Sequence, residues 1–296
     1  MPLSEILFGI QLIEILQLFF APEHNWLFIS ITFLGNDTLL AGLGAVVYWC
    51  LDKSRGRLVT YVLFFGAYLN FFLKVLVVWP RPPVELRIVE KNDTSYGFPS
   101  GHAQDSTTFW AWTSLTFRRR FLGVLGIAIV SGVGISRVYL GLHYPAQVIG
   151  GYAVGLGVAS VGTIVVRYFK PQNRNKSIWL LFTIAILAPL AAGVALGVGG
   201  QMNLSRIGGY LLGFWLGTLA ETRYVRFTTE VTRAQRAVRI LVGAAVTGFL
   251  ILALSESLPG TNFISSFVSA LIQGSTVALV VPLLFAIIER GRAAKS

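Results

Sequence analysis

Residues 99–117 read Pro-Ser-Gly-His-Ala-Gln-Asp-Ser-Thr-Thr-Phe-Trp-Ala-Trp-Thr-Ser-Leu-Thr-Phe. A glycine-containing bend and one of only three histidines stand directly before a run that turns apolar. The first amides of a helix have no intrahelical acceptor, and the helix dipole favours negative charge beside them. Ser100 and Gly101 at such a start therefore suit a phosphate. Pro99 to His102 also read as a plain N-cap and turn, and the neighbouring residues decide between the two.

Outward from this stretch the chain has the composition of an integral membrane protein. Of its 296 residues 54% are hydrophobic and 12% are charged, with a mean hydropathy of +0.69, outside the range of soluble globular domains. The net charge of +11 does not point to nucleic acid, because the basic residues fall in short runs between apolar segments and not on one soluble face. The single cysteine, Cys50, sits in an apolar run, so an internal disulfide is excluded.

Apolar runs at about 38–51, 58–79, 103–117, 121–139, 145–168, 177–200, 204–220, 237–256 and 262–288 predict an all-α polytopic transmembrane bundle of about nine spans. Trp26 to Leu34 lend length to the first. Between residues 5 and 21, Ile6, Leu7, Ile10, Ile13, Leu16 and Phe20 recur at helical spacing, with Glu5, Gln11, Glu14 and Gln17 elsewhere, which predicts a helix lying on the membrane. Gly209, Gly213 and Gly217 form a small-residue stripe suited to close helix packing, and Gly150, Gly151, Gly155 and Gly157 thin an earlier span.

With the Lys53 loop cytoplasmic, all but six of the 24 Lys and Arg residues fall inside. The six are Lys74, Arg81, Arg87, Lys91, Arg137 and Arg206, and outward cations call for a local reason. Lys74 ends the second run, Arg81 and Pro82 follow, and a later outward loop reads Ser136-Arg137-Val138-Tyr139-Leu140-Gly141-Leu142-His143-Tyr144-Pro145-Ala146-Gln147. Charge alone thus predicts these residues and the Pro99–His102 turn on one extracytoplasmic face. Lys74, Arg81 and Arg137 can clamp the equatorial oxygens of a transferring phosphoryl group, together with amides near Ser100 and Gly101. His102 and His143 can divide the proton-transfer and nucleophile roles at neutral pH. A metal site is the competing reading; fixed cations around two histidines, with no carboxylate cluster, would repel a divalent ion.

Lys-x6-Arg-Pro, Pro-Ser-Gly-His and Ser-Arg-x5-His resemble the three motifs of the type 2 phosphatidic acid phosphatase superfamily, which includes glucose-6-phosphatase and the vanadium haloperoxidases. The resemblance runs from Lys74 to Gln147. It implies that His143 is a nucleophile forming a phosphohistidine, and that His102 protonates the leaving alcohol and then activates water. Lys74, Arg81, Ser100, Gly101 and Arg137 are implied to bind phosphate, with no metal and no cofactor. Residues 1–176 are then the catalytic membrane core with its N-terminal interfacial helix, and 177–296 an additional four-span region. One position departs from the family pattern: the third motif usually ends in Asp, and here Gln147 stands four residues after His143. In a helix entered at Pro145 it falls beside His143 and can orient the imidazole without adding charge. Glucose-6-phosphatase resembles this chain in having Gln there and in its nine-span layout.

The implied activity is hydrolysis of a lipid phosphate monoester or diphosphate, such as phosphatidate or a polyprenyl diphosphate, at the bilayer surface. Two alternatives stand beside it: a glucose-6-phosphatase-like sugar-phosphate phosphatase, and a non-enzymatic phosphate transporter or lipid-binding protein. A transporter would show paired mid-membrane charges and duplicated broken helices, and the sequence has neither. His24, beside Pro22 and Glu23, is assigned no role. Asp105, one turn beyond His102, reads either as a plain polar position or as a group that tunes that acid.

Overall fold

The computed structural model describes residues 3–20, 22–89, 95–168, 201–258 and 262–293, with scattered residues between 187 and 195. Every regular element among them is helical: α1 (Leu3–Phe8), α2 (Gln11–Phe20), α3 (Asn25–Phe33), α4 (Asp37–Val46), α5 (Lys53–Val77), α6 (Gly101–Phe117), α7 (Arg120–Tyr139), α8 (Pro145–Tyr168), α9 (Gln201–Ala220), α10 (Arg233–Ser257), α11 (Phe263–Ser275) and α12 (Val281–Ala293). Single π-helical turns continue α4 (Val47–Leu51), α9 (Glu221–Val225) and α11 (Thr276–Val280).

Among the described residues five helices are long and apolar enough to cross a membrane, or six if the broken pair α3–α4 counts as one span. The nine spans read from apolarity are therefore not all matched. The run at 177–200 lies outside the described residues, as do Lys91, Lys170, Arg174, Lys176 and Lys295. The runs at 103–117 and 204–220 are helical as expected, in α6 and α9, but stand apart from those five. The first expected span is broken at Leu34–Asn36, where the Asn36 side chain accepts the Thr38 N–H at 2.9 Å and so caps α4.

The chain forms two compact units, residues 1–41 with 65–170, and residues 42–64 with 171–296. In the first, α6 is the central helix. Gly151 and Gly155 bring α8 onto it, since a Cβ there would lie 2.7 Å from Ser100 O and 2.5 Å from Gln104 O. Gly150 instead faces the Phe98 ring, and Gly157 meets nothing. Three hydroxyls of α6 are satisfied within the helix: Ser106, Thr107 and Thr113 donate to His102 O (2.7 Å), Ala103 O (2.6 Å) and Phe109 O (2.7 Å). Gln104 Nε2 donates to Gly66 O at 2.7 Å, and Asn70 Nδ2 donates to Gln104 Oε1 at 3.0 Å and Pro99 O at 3.3 Å, which ties the last turns of α5 to the start of α6.

The expected N-terminal surface helix is two helices, interrupted at Gly9–Ile10. Ile13 is fully buried against Ala103, Val138 and Val148, and Gln17 Nε2 donates to Leu86 O and Tyr139 O, each at 2.8 Å. Leu18 and Phe19 point outward.

In the second unit the glycine stripe packs as expected. A Cβ on Gly209, Gly213 or Gly217 would come within 2.3 Å of Phe267 O, 2.0 Å of Leu271 O or 2.7 Å of the Ala278 Cβ. The three π-helical turns converge there. Tyr48 Oη and Trp49 Nε1 donate to Ala278 O (3.1 Å) and Val277 O (2.9 Å), and buried Glu221 pairs with Lys53 at 2.6 Å.

Candidate active site

The C-terminal ends of α5 and α7 and the N-terminal ends of α6 and α8 carry the residues singled out by the sequence, all within the first unit. At the start of α6, Ser100 occupies the N-cap with extended backbone, but its hydroxyl makes no capping bond; Oγ is buried without a hydrogen-bond partner. Its backbone N–H is held by Gln147 O at 3.0 Å. Gly101 opens the helix, and a Cβ there would meet only Asn70 Oδ1, at an ordinary 3.6 Å. His102 follows in the same first turn, half-buried.

The third motif is positioned by a turn at Gly141, whose φ of +66° suits glycine and where a Cβ would lie 2.1 Å from Leu86 O. The chain then folds back on the end of α7, with the Leu142 and His143 amides donating to Arg137 O at 3.1 and 3.3 Å. His143 is thereby buried, 2% exposed.

Its tautomer follows from its partners. Arg81 Nη1 lies 3.0 Å from His143 Nε2, and a guanidinium only donates, so Nε2 presents its lone pair. His143 Nδ1 therefore carries the proton and donates to Gln147 Oε1 at 3.1 Å. The orientation of the Gln147 amide is set in turn: Nε2 donates to Pro80 O at 2.7 Å, and Oε1 also accepts the Tyr144 N–H at 3.2 Å. Burial and then the charges of Arg137, Arg81 and Lys74 push the His143 imidazole well below the ordinary histidine range, against the smaller opposing effect of the Gln147 bond. The ring is neutral near pH 7, as a nucleophile requires.

Arg81 is held by Ser95, Nε to the carbonyl at 2.8 Å and Nη2 to Oγ at 3.1 Å, and Nη1 also donates to Leu142 O at 3.1 Å. Lys74 Nζ donates to Tyr96 O at 2.5 Å. Arg137 is buried, and its Nη1 donates to Thr32 Oγ1 at 3.2 Å. The structure thus links Lys74, Arg81, Ser100, His143 and Gln147 through direct bonds or a shared loop, and joins Arg137 to them through its carbonyl and its charge. His102 and Gly101 stand at the same end, on the first turn of α6. His24 binds the Phe20 carbonyl of its own turn. Asp105 Oδ1 is buried without a hydrogen-bond partner. Among the described residues no three His, Cys, Asp or Glu side chains gather as a metal would need.

Sequence reasoning missed Ser95, Thr32 and Gly97. A Cβ on Gly97 would fall 2.4 Å from Gln147 Nε2, so that glycine makes room for the amide that orients His143. The only local signal for it was its place two residues before Pro99.

A family model described as the PAP2 superfamily matches residues 56–171, and a second, described as the PAP2 superfamily phosphatase transmembrane extension, matches residues 205–293. Over 148 residues the chain is 28% identical to phosphatidylglycerophosphatase B of Bacillus subtilis, covering 46% of this chain and 71% of that protein. Over 137 residues it is 28% identical to undecaprenyl-diphosphatase of Sulfolobus acidocaldarius, covering 46% and 61%. Over 183 residues it is 26% identical to glucose-6-phosphatase catalytic subunit 1 of Felis catus, covering 51% of each. The chain therefore spans only about half to seven-tenths of the length of these curated relatives.

Proposed function

The chain belongs to the PAP2 superfamily, and from that premise we propose that it is a membrane phosphatase hydrolysing lipid phosphate monoesters or diphosphates through a phosphohistidine on His143. The observation that carries this is the His143 ring itself: buried, neutral, its Nδ1–H fixed by Gln147 and its Nε2 lone pair turned toward Arg81.

In the first step Nε2 attacks phosphorus, the bond to the leaving oxygen breaks, and protonated His102 gives that oxygen its proton. Arg81 exchanges Nε2 for a phosphoryl oxygen as substrate enters. Lys74, Arg137, the Ser100 hydroxyl and the first-turn amides of α6 take the remaining equatorial charge. In the second step neutral His102 removes a proton from water, the oxygen attacks phosphorus, and the P–N bond breaks to return His143 and release phosphate. The unpartnered Ser100 hydroxyl and the open approach at Gly101 fit a phosphate ligand at the helix start. Phosphatidylglycerophosphatase B and undecaprenyl-diphosphatase among the relatives favour a lipid substrate. The charge bias of the loops favours a site on the extracytoplasmic face.

A second reading, a sugar-phosphate phosphatase, is favoured by Gln147 and by the glucose-6-phosphatase relative. Phosphate release by the purified protein from dioleoyl phosphatidate, farnesyl diphosphate and glucose 6-phosphate, with chelator present throughout, separates the readings. Turnover of the lipid substrates is expected. Turnover of glucose 6-phosphate alone would replace the lipid reading, and loss of all activity in chelator, restored by one metal, would overturn the mechanism.

A further inference from the structure

Beside the phosphate-binding residues stands a stack of three aromatic rings that the mechanism does not use. Phe8 on α1 stacks on Trp79 with ring centroids 5.4 Å apart and planes within 20°, and Trp79 stacks on Phe98 at 5.6 Å and 22°. Two of these rings are covalently next to the site: Trp79 is two residues before Arg81, and Phe98 is two before Ser100. The two segments are locked together by the Gly97 N–H, which donates to Trp79 O at 2.7 Å. Phe98 lies against α8 at Gly150, where a Cβ would meet its Cε2 at 2.2 Å.

Exposure rises along the stack away from the site. Phe98 and Trp79 are half-buried and Phe8 is 53% exposed, with exposed Leu3, Leu76, Val77 and Val78 on the same helices or at their ends. The row of rings starts two residues from Arg81 and Ser100 and ends at an exposed ring whose helix, like the end of α5, carries exposed aliphatic side chains, so it offers apolar ring faces between the candidate site and an exposed apolar surface. Its one occupant compatible with both ends is a molecule carrying a phosphate at one end and a hydrocarbon chain at the other.

We propose that Phe98, Trp79 and Phe8 form the hydrocarbon-chain subsite of this phosphatase, gripping the chain of a lipid whose phosphate is held by Arg81 and Ser100. This rests on the lipid reading of the function and adds the residues that select for it. α1 then belongs to the substrate site, with its position fixed through α2 by Gln17 on Leu86 O and Tyr139 O. A sugar phosphate has no chain to lay on these rings and would gain nothing from them.

The test compares dioleoyl with dihexanoyl phosphatidate in the same detergent micelles, which holds headgroup and surface constant and varies chain length. Phe8 is exposed, so Phe8→Ala leaves the core intact. It is expected to lower kcat/KM for the long-chain substrate about three- to tenfold, the equivalent of one aromatic contact, and to leave the short-chain value within about twofold. Phe8→Trp should restore the long-chain value, and Trp79→Phe should lower it less than Trp79→Ala. Equal losses on both chain lengths would mean that the stack only anchors α1, and no loss on either would mean that the chain lies elsewhere; both overturn the subsite while leaving the lipid reading standing. A parent protein that hydrolyses neither phosphatidate yet hydrolyses glucose 6-phosphate would overturn the lipid reading and the subsite together.

Discussion

Gln147→Leu and Gln147→Asp act on the same ring in opposite ways. The Gln147 amide is fully buried and makes three bonds: Nε2 to Pro80 O at 2.7 Å, and Oε1 from His143 Nδ1 at 3.1 Å and Tyr144 N–H at 3.2 Å. Leucine keeps the volume and removes the partner of all three groups, at about 1–3 kcal/mol for the buried imidazole and less for half-buried Tyr144 and exposed Pro80. Partial relaxation brings the expected loss of stability to about 2–4 kcal/mol. The imidazole also loses the bond that selects its tautomer, so kcat/KM should fall by about tenfold to a hundredfold at every pH. Aspartate still accepts from Nδ1–H but cannot donate to Pro80, so it costs about 1–2 kcal/mol of stability. Its negative charge opposes Arg137, Arg81 and Lys74, the cations that help hold the His143 pKa down. The acid limb of kcat/KM should then move to higher pH by about one unit, each unit being worth about 1.4 kcal/mol. Above that limb the aspartate variant should match or exceed the parent. The assay is hydrolysis of nitrophenyl phosphate from pH 5 to 9, with thermal unfolding of each variant alongside. If the leucine and aspartate variants both follow the parent profile, residue 147 does not support the nucleophile and the reasoning fails.

Three further outcomes are expected. Because His143 stays neutral when folded, the unfolded chain alone takes up its proton below about pH 6.5; this contribution to stability is present above that pH and is lost as pH falls. Between pH 7.5 and 5.5 the parent should lose about 1 kcal/mol more than His143→Asn in chemical denaturation, and identical losses would contradict the depressed pKa. Ser100→Ala removes a buried hydroxyl that has no partner, so its unfolding midpoint should hold or rise while inhibition by vanadate weakens about tenfold; a destabilised variant with unchanged inhibition would refute the role. After Cys50→Ser, a cysteine at Arg87 should label from outside intact cells and one at Arg118 should not, and the reverse pattern would invert the topology.

The grouping of the candidate site residues was legible because its parts are rare in this chain. Lys74, Arg81 and Arg137 break a strong charge bias, and His102 and His143 are two of three histidines, so few groupings were possible. What orients them was less legible. Much of what holds Arg81 and Gln147 is backbone, the Ser95, Leu142 and Pro80 carbonyls, which every residue type carries. Apolarity found the helices but not their breaks. Asn36, which interrupts the first expected span, is recognisable as a cap only once the helix it starts is known. The grouping of residues 42–64 with the C-terminal unit was not legible either. That grouping arises from contacts such as Trp49 Nε1 to Val277 O, 228 residues apart, which no local pattern announces.

The central claim is that His143 becomes covalently phosphorylated, and the direct measurement is acid-free quenching of the protein during turnover of nitrophenyl phosphate, followed by digestion and mass spectrometry. Phosphate is predicted on His143 in the parent, in larger amount in His102→Ala, whose activated leaving group departs unaided while water attack is slowed, and nowhere in His143→Ala, which should also be inactive. Phosphate on any other residue, or normal turnover by His143→Ala, would contradict the account.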